Sequence, residues 1–335
     1  TGSVEDIAQI RSFRDSVKYL SRFEVESAKG KISGTLTSMT LNVTEDCNFG
    51  CAYCFFSEIY PNNRDASDKQ MTWETSRKAL DLFIQSAKEN AIVSFYGGEP
   101  TNSWDFMCQC MDYVRKFRSD IQFLAVTNGY RIKELASEMV KYNIHLTISL
   151  DGPKEVHDKY RHTKGGTKNT FGRIWDGIQT LHALNPDFLK THVSTNATCW
   201  DPDDFSRIID FNLQHDGLFK NQFIGFVGSM GMKEDVLRAH SSVYPLADDY
   251  IRYGQMYIQS IALGVEPANI LKKMFDKSMQ RLFRLSEEPT PGELPLLSAC
   301  PPGELSLFAN SDGSFFICEK LSEADVLGTV DTGII

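Results

Sequence analysis

The chain has 335 residues and a mass of 37.8 kDa, which is enough for one large domain or for one large and one small domain. Its formal net charge is −9, and no dense basic patch is interleaved with aromatic residues, which argues against nucleic acid as a partner. No apolar run approaches the ~20 residues that a membrane span needs, and no signal-peptide core follows the N-terminus, so we expect a cytoplasmic protein without a membrane partner.

From about residue 39 the chain alternates short β-rich runs with amphipathic helical stretches. Six strands are predicted, over residues 39–44, 92–96, 123–127, 145–150, 192–198 and 223–227. Five helices are predicted between them, over residues 72–88, 104–117, 133–142, 171–184 and 203–214. Strand–helix–strand units place their strands in parallel with right-handed crossovers, so the alternation predicts an α/β fold, a partial (β/α)6 TIM-like barrel. We expect the chemistry at the carboxyl ends of those strands.

Further segments flank this barrel. Residues 1–38 predict an N-terminal helix and a hairpin that turns near residues 29–30. A helix over 244–263 follows the sixth strand, and the polar, proline-containing stretch 286–295 is typical of a linker. The sequence therefore divides into an N-terminal segment (1–38), a core (39–285) and a C-terminal extension (286–335).

Three of the eight cysteines lie within eight positions directly after the first predicted strand, at Cys47, Cys51 and Cys54. A structural zinc site closes with four protein ligands, whereas three thiolates on a [4Fe–4S] cluster leave one iron open for another ligand. The triad therefore favours a catalytic cluster. A zinc site that borrows a distant ligand and a set of structural cysteines are the alternatives, and a secreted disulfide framework does not suit a chain of this length without a signal peptide.

The C-x3-C-x2-C spacing, with the aromatic Tyr53 before the third cysteine, resembles the radical S-adenosylmethionine (SAM) superfamily. The resemblance extends over about residues 39–230. It implies a [4Fe–4S] cluster whose free iron is chelated by the amino and carboxylate groups of SAM. It also implies the reaction: the reduced cluster splits SAM into methionine and a 5′-deoxyadenosyl radical, which abstracts hydrogen from an unactivated carbon.

Two further strand ends carry motifs of this family. Gly97, Gly98 and Glu99 precede a proline after the second strand, and the resemblance implies that this segment receives the amino group of SAM. Ser149 and Arg161 flank a Leu-Asp-Gly-Pro sequence and have the spacing seen in peptide-maturing members, where they contact polar groups of SAM. A guanidinium fork suits a carboxylate chemically.

Weaker signals lie beside these motifs. The Thr-Asn-Gly sequence at 127–129 resembles a turn of the family, and by resemblance Val227 at the end of the sixth strand flanks the adenine. Glu58, Asp151 and His157 are nearby polar residues, but none of them is assigned as a catalytic acid or base.

Cys300 and Cys318 flank a predicted hairpin that turns at residues 312–313, which would bring both thiols to one end where they could share a metal. This stretch resembles the opening of a SPASM or twitch extension, which binds auxiliary [4Fe–4S] clusters. The sequence stops before the later cysteines of such a domain, which we interpret as a truncation. Cys108, Cys110 and Cys199 are interpreted as buried structural thiols.

The resemblance implies a peptide maturase that installs a thioether link in a ribosomally made, Cys-rich precursor peptide and draws electrons from a flavodoxin- or ferredoxin-type donor. An anaerobic sulfatase maturase, which oxidises Cys or Ser to formylglycine, shares nearly every motif. Carbon–carbon crosslinking and epimerisation of a peptide are further alternatives. A non-enzymatic iron–sulfur or zinc scaffold would explain the cysteines but not the Gly-Gly-Glu-Pro segment, the Ser149 and Arg161 pair or the Thr-Asn-Gly turn.

Overall fold

The computed structural model describes residues 36–61, 63, 66–228, 231–239, 247–284, 306–320 and 326–334. The predicted N-terminal helix, the turn near residues 29–30, the linker at 286–295 and Cys300 lie outside these residues. Among the helices of the described residues, none is both long enough and apolar enough to cross a membrane.

A parallel sheet forms the centre of the molecule, which confirms the predicted α/β class. Its six central strands are adjacent in chain order: β1 (Leu36–Thr44), β2 (Ala87–Gly97), β3 (Gln122–Thr127), β4 (His145–Ser149), β5 (Val193–Cys199) and β6 (Asn221–Phe226). Neighbours pair in parallel throughout, as strand–helix–strand units require. The arrangement is that of a partial TIM-like barrel.

Helices connect and flank these strands. They are α1 (Trp73–Ser86), α2 (Trp104–Arg115), α3 (Ile132–Tyr142), α4 (Lys154–Tyr160), α5 (Thr170–Leu184), α6 (Pro186–His192), α7 (Phe205–Gln214), α8 (Glu234–Ala239), α9 (Ala247–Ala262) and α10 (Asn269–Arg284). The sequence pattern had predicted none of α4, α6, α8 and α10. The first three have seven residues or fewer, too short to show a helical period, whereas α10 has 16 residues and was simply missed.

The first helix shows why the predicted bounds shift. The Thr72 hydroxyl accepts from the backbone N–H of Thr75 at 3.1 Å and caps the helix, and Phe83 turns into the core. Ala87, which the sequence placed on the helix face, instead adopts extended geometry and pairs with Leu36 as the start of β2. Pairing with β1 therefore ends the helix before its apolar pattern ends.

The C-terminal extension joins the same sheet. Strand β7 (Ser306–Ala309) pairs in parallel with β1, and β8 (Ser314–Phe316) returns antiparallel to it. The predicted hairpin is thus present, with Gly313 at a φ of +89° in its turn. The edge is completed by β9 (Gly328–Thr329) and β10 (Gly333–Ile334). The domain boundary near residue 286 remains a prediction.

The two faces of the sheet differ. Side chains such as Val93 and Ile148 point toward the helices and are fully buried. Their neighbours along the strands, for example Ser94 and Thr147, point to the other face and are only half buried. The half-buried face is the concave, accessible face of the sheet, and the carboxyl ends of β1 to β6 border it.

Candidate active site

The loop after β1 carries the three clustered cysteines and is held by the segment after α4. The backbone N–H of Gly50 donates to His162 O and that of Ala52 to Tyr160 O, both at 2.9 Å, and Lys164 N donates to Asn48 O at 3.0 Å. These bonds form a two-stranded ribbon of residues 48–52 and 160–164. The ribbon fixes the backbone between Cys47 and Cys54 without any metal.

The thiols of the triad sit in an environment that disfavours their charge. Burial raises the pKa of Cys47 to about 12 and that of Cys51 to about 11, and it raises the pKa of Cys54 as well. Burial therefore favours the protonated form of each thiol. Iron would have to displace these protons to bind, so loading of the triad should release protons.

Hydrogen-bond donors converge on two of the sulfurs. The backbone N–H of Phe49 lies 3.4 Å from Cys47 Sγ, and Asn128 Nδ2 lies 3.9 Å from the same atom. Arg161 Nη1 lies 3.8 Å from Cys51 Sγ. Donors at thiolate sulfurs suit an anionic iron–sulfur cluster and tune its potential.

A single metal ion is a poorer match to this loop than a cluster. No three His, Cys, Asp or Glu side chains of the described residues are grouped closely enough to hold one ion. A cubane does not need such a group, because each thiolate binds a different iron. The donor set of three thiols, one amide and one guanidinium thus fits the predicted [4Fe–4S] cluster.

Gly97 and Gly98 are required by the path of the cysteine loop itself. A Cβ on Gly97 would lie 2.0 Å from Thr44 O, and a Cβ on Gly98 would lie 2.1 Å from Asp46 O. The backbone of this segment in turn donates to the loop, from Gly98 N to Thr44 O and from Glu99 N to Asp46 O, both at 2.8 Å. The close approach that these glycines permit is therefore to the Cys47 loop.

The Glu99 side chain points into the protein and is 1 % exposed. Its Oε1 accepts from Thr101 and Thr127 hydroxyls at 2.6 Å each, and its Oε2 accepts from Asn128 N at 2.6 Å. Burial raises its pKa, and the hydrogen bonds to its oxygens offset that effect only in part. The carboxylate thus joins the ends of β2 and β3. Any contact of the Gly97 to Glu99 segment with a ligand would therefore be made by its backbone atoms.

Asn128 is a site residue to which the sequence analysis gave no role. Its side-chain amide donates to Asn48 Oδ1 at 2.7 Å and reaches Cys47 Sγ. The signal that could have found it is its place directly after a strand whose end faces the cysteine loop.

Arg161 and Tyr53 meet at a third buried group, Asp151. Arg161 Nε donates to Asp151 Oδ2 at 2.9 Å, the Tyr53 hydroxyl donates to the same oxygen, and Thr198 N donates to Oδ1 at 3.0 Å. The Arg161 guanidinium also lies over the Tyr53 ring, 5.3 Å from its centroid. The structure therefore brings Tyr53 of the cysteine loop and two residues of the Ser149 to Arg161 segment together beside Cys51.

Ser149 and Val227 lie at neighbouring strand ends. Ser149 closes β4, is half buried, and its hydroxyl hydrogen-bonds to no described residue. Val227 follows β6 and packs in a small aromatic cluster with Tyr53, Tyr160 and Trp200. Their predicted contacts with SAM remain predictions.

The remaining polar candidates show no acid–base geometry. His157 is fully buried, burial lowers its pKa to about 4, and its Nδ1 accepts from Asp151 N at 3.3 Å. Glu58 is exposed on the surface of the cysteine loop.

Among the other cysteines, Cys110 and Cys199 are buried, as expected, while Cys108 is half buried. Cys318 follows β8 and is half buried. Because β8 runs antiparallel to β7, Cys318 lies near the start of β7, about 20 Å along the sheet from the Cys47 end at ~3.3 Å per residue. Its predicted partner Cys300 lies outside the described residues.

A sequence model described as the Radical SAM superfamily matches residues 41–212. A cysteine-type anaerobic sulfatase-maturating enzyme of Clostridium novyi is 30 % identical over 170 residues, which is 49 % of this chain and 45 % of that protein. The radical SAM cyclopropyl synthase TigE of Paramaledivibacter caminithermalis is 31 % identical over 40 % of this chain and 31 % of its own length. The chain thus spans less than half the length of these two relatives.

Solved structures share the fold. A structure described as anSMEcpe with bound AdoMet aligns with a TM-score of 0.66 at 20 % identity, over 88 % of this chain and 77 % of that one. Streptococcus suis SuiB bound to the precursor peptide SuiA aligns with a TM-score of 0.53 at 14 % identity, over 88 % of this chain and 62 % of that one.

Proposed function

The chain belongs to the radical SAM superfamily, and from that premise we propose that it modifies a ribosomally made peptide by installing a thioether link. SAM on a reduced [4Fe–4S] cluster supplies a radical that abstracts hydrogen from an unactivated carbon. Cys47, Cys51 and Cys54 would hold the cluster, and the Gly97 to Glu99 backbone, Ser149 and Arg161 would orient SAM. A flavodoxin- or ferredoxin-type protein would supply the electron.

The observation that carries the peptide assignment is the chemistry of the concave face. Along the regularly paired parts of β1 to β6, the positions on this face are occupied by Thr40, Asn42, Ser94, Tyr96, Leu124, Val126, Thr147, Ser149, Asn196, Thr198, Phe223 and Gly225. None of these side chains is charged, and the nearest cation at the β6 edge is Lys273, whose Nζ lies over the Phe223 ring, 5.3 Å from its centroid. His145, deeper on the same face, stays neutral at pH 7 because burial lowers its pKa to about 4. A peptide segment with uncharged side chains suits this surface better than a phosphorylated or anionic metabolite does.

The relatives support the same class. The Clostridium novyi sulfatase-maturating enzyme and TigE match 49 % and 40 % of this chain, and SuiB has been solved with a precursor peptide. We also propose that residues 286–335 begin an auxiliary-cluster extension in which Cys300 and Cys318 are ligands. The β7–β8 hairpin supports this, because it returns Cys318 toward the end of the strand that Cys300 precedes.

The second candidate, a formylglycine-forming sulfatase maturase, is favoured by the alignment with the Clostridium novyi enzyme. Both candidates need the same core chemistry. They differ in the product and in the fate of the substrate thiol.

The first experiment measures 5′-deoxyadenosine released by anaerobically reconstituted, reduced protein supplied with SAM. We expect release that is lost in Cys54→Ala and kept in Cys108→Ala, a half-buried cysteine on α2 outside the loop. A wild-type protein that retains no iron would contradict the cluster assignment.

The second experiment separates the products on candidate Cys-containing peptides. A thioether link removes two hydrogen atoms and one alkylatable thiol, whereas formylglycine creates an aldehyde that a hydrazide probe labels. An aldehyde without thiol-to-carbon linkage would reject the thioether proposal in favour of the second candidate.

A further inference from the structure

We infer that Asp151 is a positioning residue that holds the Arg161 guanidinium against the Cys51 sulfur and so prepares it for the carboxylate of SAM. The inference deepens the proposed function and rests on it for the identity of the ligand. Asp151 lies just after β4 and is 0 % exposed, so it touches no substrate. Its carboxylate is engaged by three protein donors, from Tyr53, Arg161 and Thr198.

The guanidinium is fixed through its geometry. It is planar and rigid, so the direction of one N–H sets the direction of the others. With Nε held on Asp151 Oδ2 at 2.9 Å, Nη1 is directed at Cys51 Sγ at 3.8 Å. No described residue accepts from Nη2, which leaves that edge of the fork for an anionic ligand.

The alternative supports for Arg161 are weaker. The side chain is 7 % exposed, so solvent cannot stabilise its charge, and the Tyr53 ring contributes only a face contact. Asp151 Oδ2 is the carboxylate in direct contact with the guanidinium. A buried arginine without such a partner would be costly and free to reorient.

Tyr53 completes the arrangement from the cysteine loop. Its hydroxyl donates to the same Asp151 oxygen that accepts from Arg161 Nε, so both side chains hold one end of the carboxylate. The loop residue between Cys51 and Cys54 is thereby linked to the strand end that carries Asp151. Asp151 consequently acts on cofactor binding through Arg161, not through contact of its own.

The test is a double-mutant cycle on equilibrium SAM binding, measured by calorimetry on reconstituted, oxidised protein without turnover. Asp151→Asn keeps the shape of the side chain and should weaken SAM binding about tenfold. Arg161→Gln should weaken it by a similar or larger factor. In the double variant the loss should equal that of Arg161→Gln alone, because Asp151 has nothing left to position.

Asp204→Asn is the matched control. Asp204 is a buried carboxylate paired with Lys159 and Arg207; it also accepts from the Tyr160 hydroxyl at 3.2 Å, and it has no contact with Cys51 or Arg161. It should cost thermal stability without changing SAM affinity, which separates a positioning effect from general destabilisation.

Equal SAM affinity for Asp151→Asn and wild type would overturn the inference, as would losses that add fully in the double variant. If Asp151→Asn does not fold, Arg161→Gln with and without Asp151→Asn answers the same question: equal affinities support the inference, and a further severalfold loss overturns it. A coupled loss of SAM binding in a protein that modifies no peptide would reject the proposed substrate and leave the inference standing.

Discussion

Two buried carboxylates organise the site, and they do so differently. At the β2–β3 corner, defined by Glu99, Thr101, Thr127 and Asn128, the partners of the Glu99 carboxylate within the described part of the chain are neutral donors. At the β4–β5 corner, defined by Asp151, Arg161, Tyr53 and Thr198, the charge is met by a cation.

Because of this difference, the two corners have different structural roles. Glu99 joins two strand ends to each other, and its neighbour Gly98 joins them to the cysteine loop, so the β2–β3 corner shapes the backbone. Asp151 holds a charged side chain whose Nη2 donates to no described residue, so the β4–β5 corner orients charge. Added side-chain bulk and changes in pH should therefore affect the β2–β3 corner most. Loss of a charge should affect the β4–β5 corner most.

The largest effect should come from Gly98→Ala, which breaks the β2–β3 corner. The new Cβ would lie 2.1 Å from Asp46 O, a backbone atom that cannot yield without moving the cysteine loop. We expect loss of cluster incorporation, measured as iron per chain, together with a lowered melting temperature. Gly166→Ala is the control, since a Cβ there meets nothing within 4 Å, although its φ of +79° adds modest strain. Normal iron content in Gly98→Ala would contradict the tight packing of this corner.

Arg161→Gln should have the next largest effect, because it leaves Asp151 buried and unpaired. Removing one partner of a buried pair costs about 3–5 kcal/mol of unfolding free energy. The loss of a positive charge beside Cys51 should also lower the midpoint potential of the reconstituted cluster, followed by electron paramagnetic resonance during a redox titration. Lys133→Gln removes an exposed cation that pairs with Asp176 at the surface and should change neither quantity appreciably. An unchanged potential in Arg161→Gln would argue that the guanidinium does not act on the cluster.

Glu99→Gln tests the charge at the β2–β3 corner and should destabilise the protein by about 1–3 kcal/mol, because the amide cannot accept all the bonds that the carboxylate accepts. Burial raises the pKa of Glu99, so its ionisation opposes folding. The wild type should therefore lose stability relative to Glu99→Gln as the pH rises from about 4.5 through the raised pKa of the folded state. Denaturant unfolding at several pH values measures this difference. A stability gap independent of pH would indicate that Glu99 titrates normally.

The smallest effects compare one hydroxyl at each corner. Thr127→Val removes a donor from Glu99, which forms no ion pair with any described residue, and should cost about 1.5 kcal/mol of unfolding free energy. Tyr53→Phe removes a donor from Asp151, which keeps Arg161, and should cost about 1 kcal/mol. Chemical denaturation of both variants measures the two losses of unfolding free energy and shows which is larger. A larger loss in Tyr53→Phe would mean that Arg161 does not compensate Asp151 as the geometry implies.

Local pattern was enough to predict the parallel sheet and the place of the cysteine triad. Period-two strands alternating with apolar helices leave few topologies open, and three thiols in eight residues restrict the metal chemistry. The local pattern did not reveal α4, because a helix of two turns is too short to show a helical period. It also did not reveal that the short strand β7 pairs with β1 and extends the sheet.

The sequence by itself determined the enzyme superfamily, because the residues of each motif lie close together in the chain. The three cysteines, for example, lie within one loop at characteristic spacings. Only the tertiary structure decided what those residues do for each other. Glu99 proved to face the protein interior, and Asp151 proved to join Tyr53 and Arg161 beside Cys51. These partners are distant in sequence, and parallel strands bring their ends to a common edge only when the sheet is formed. Contacts across strand ends have no local pattern to reveal them.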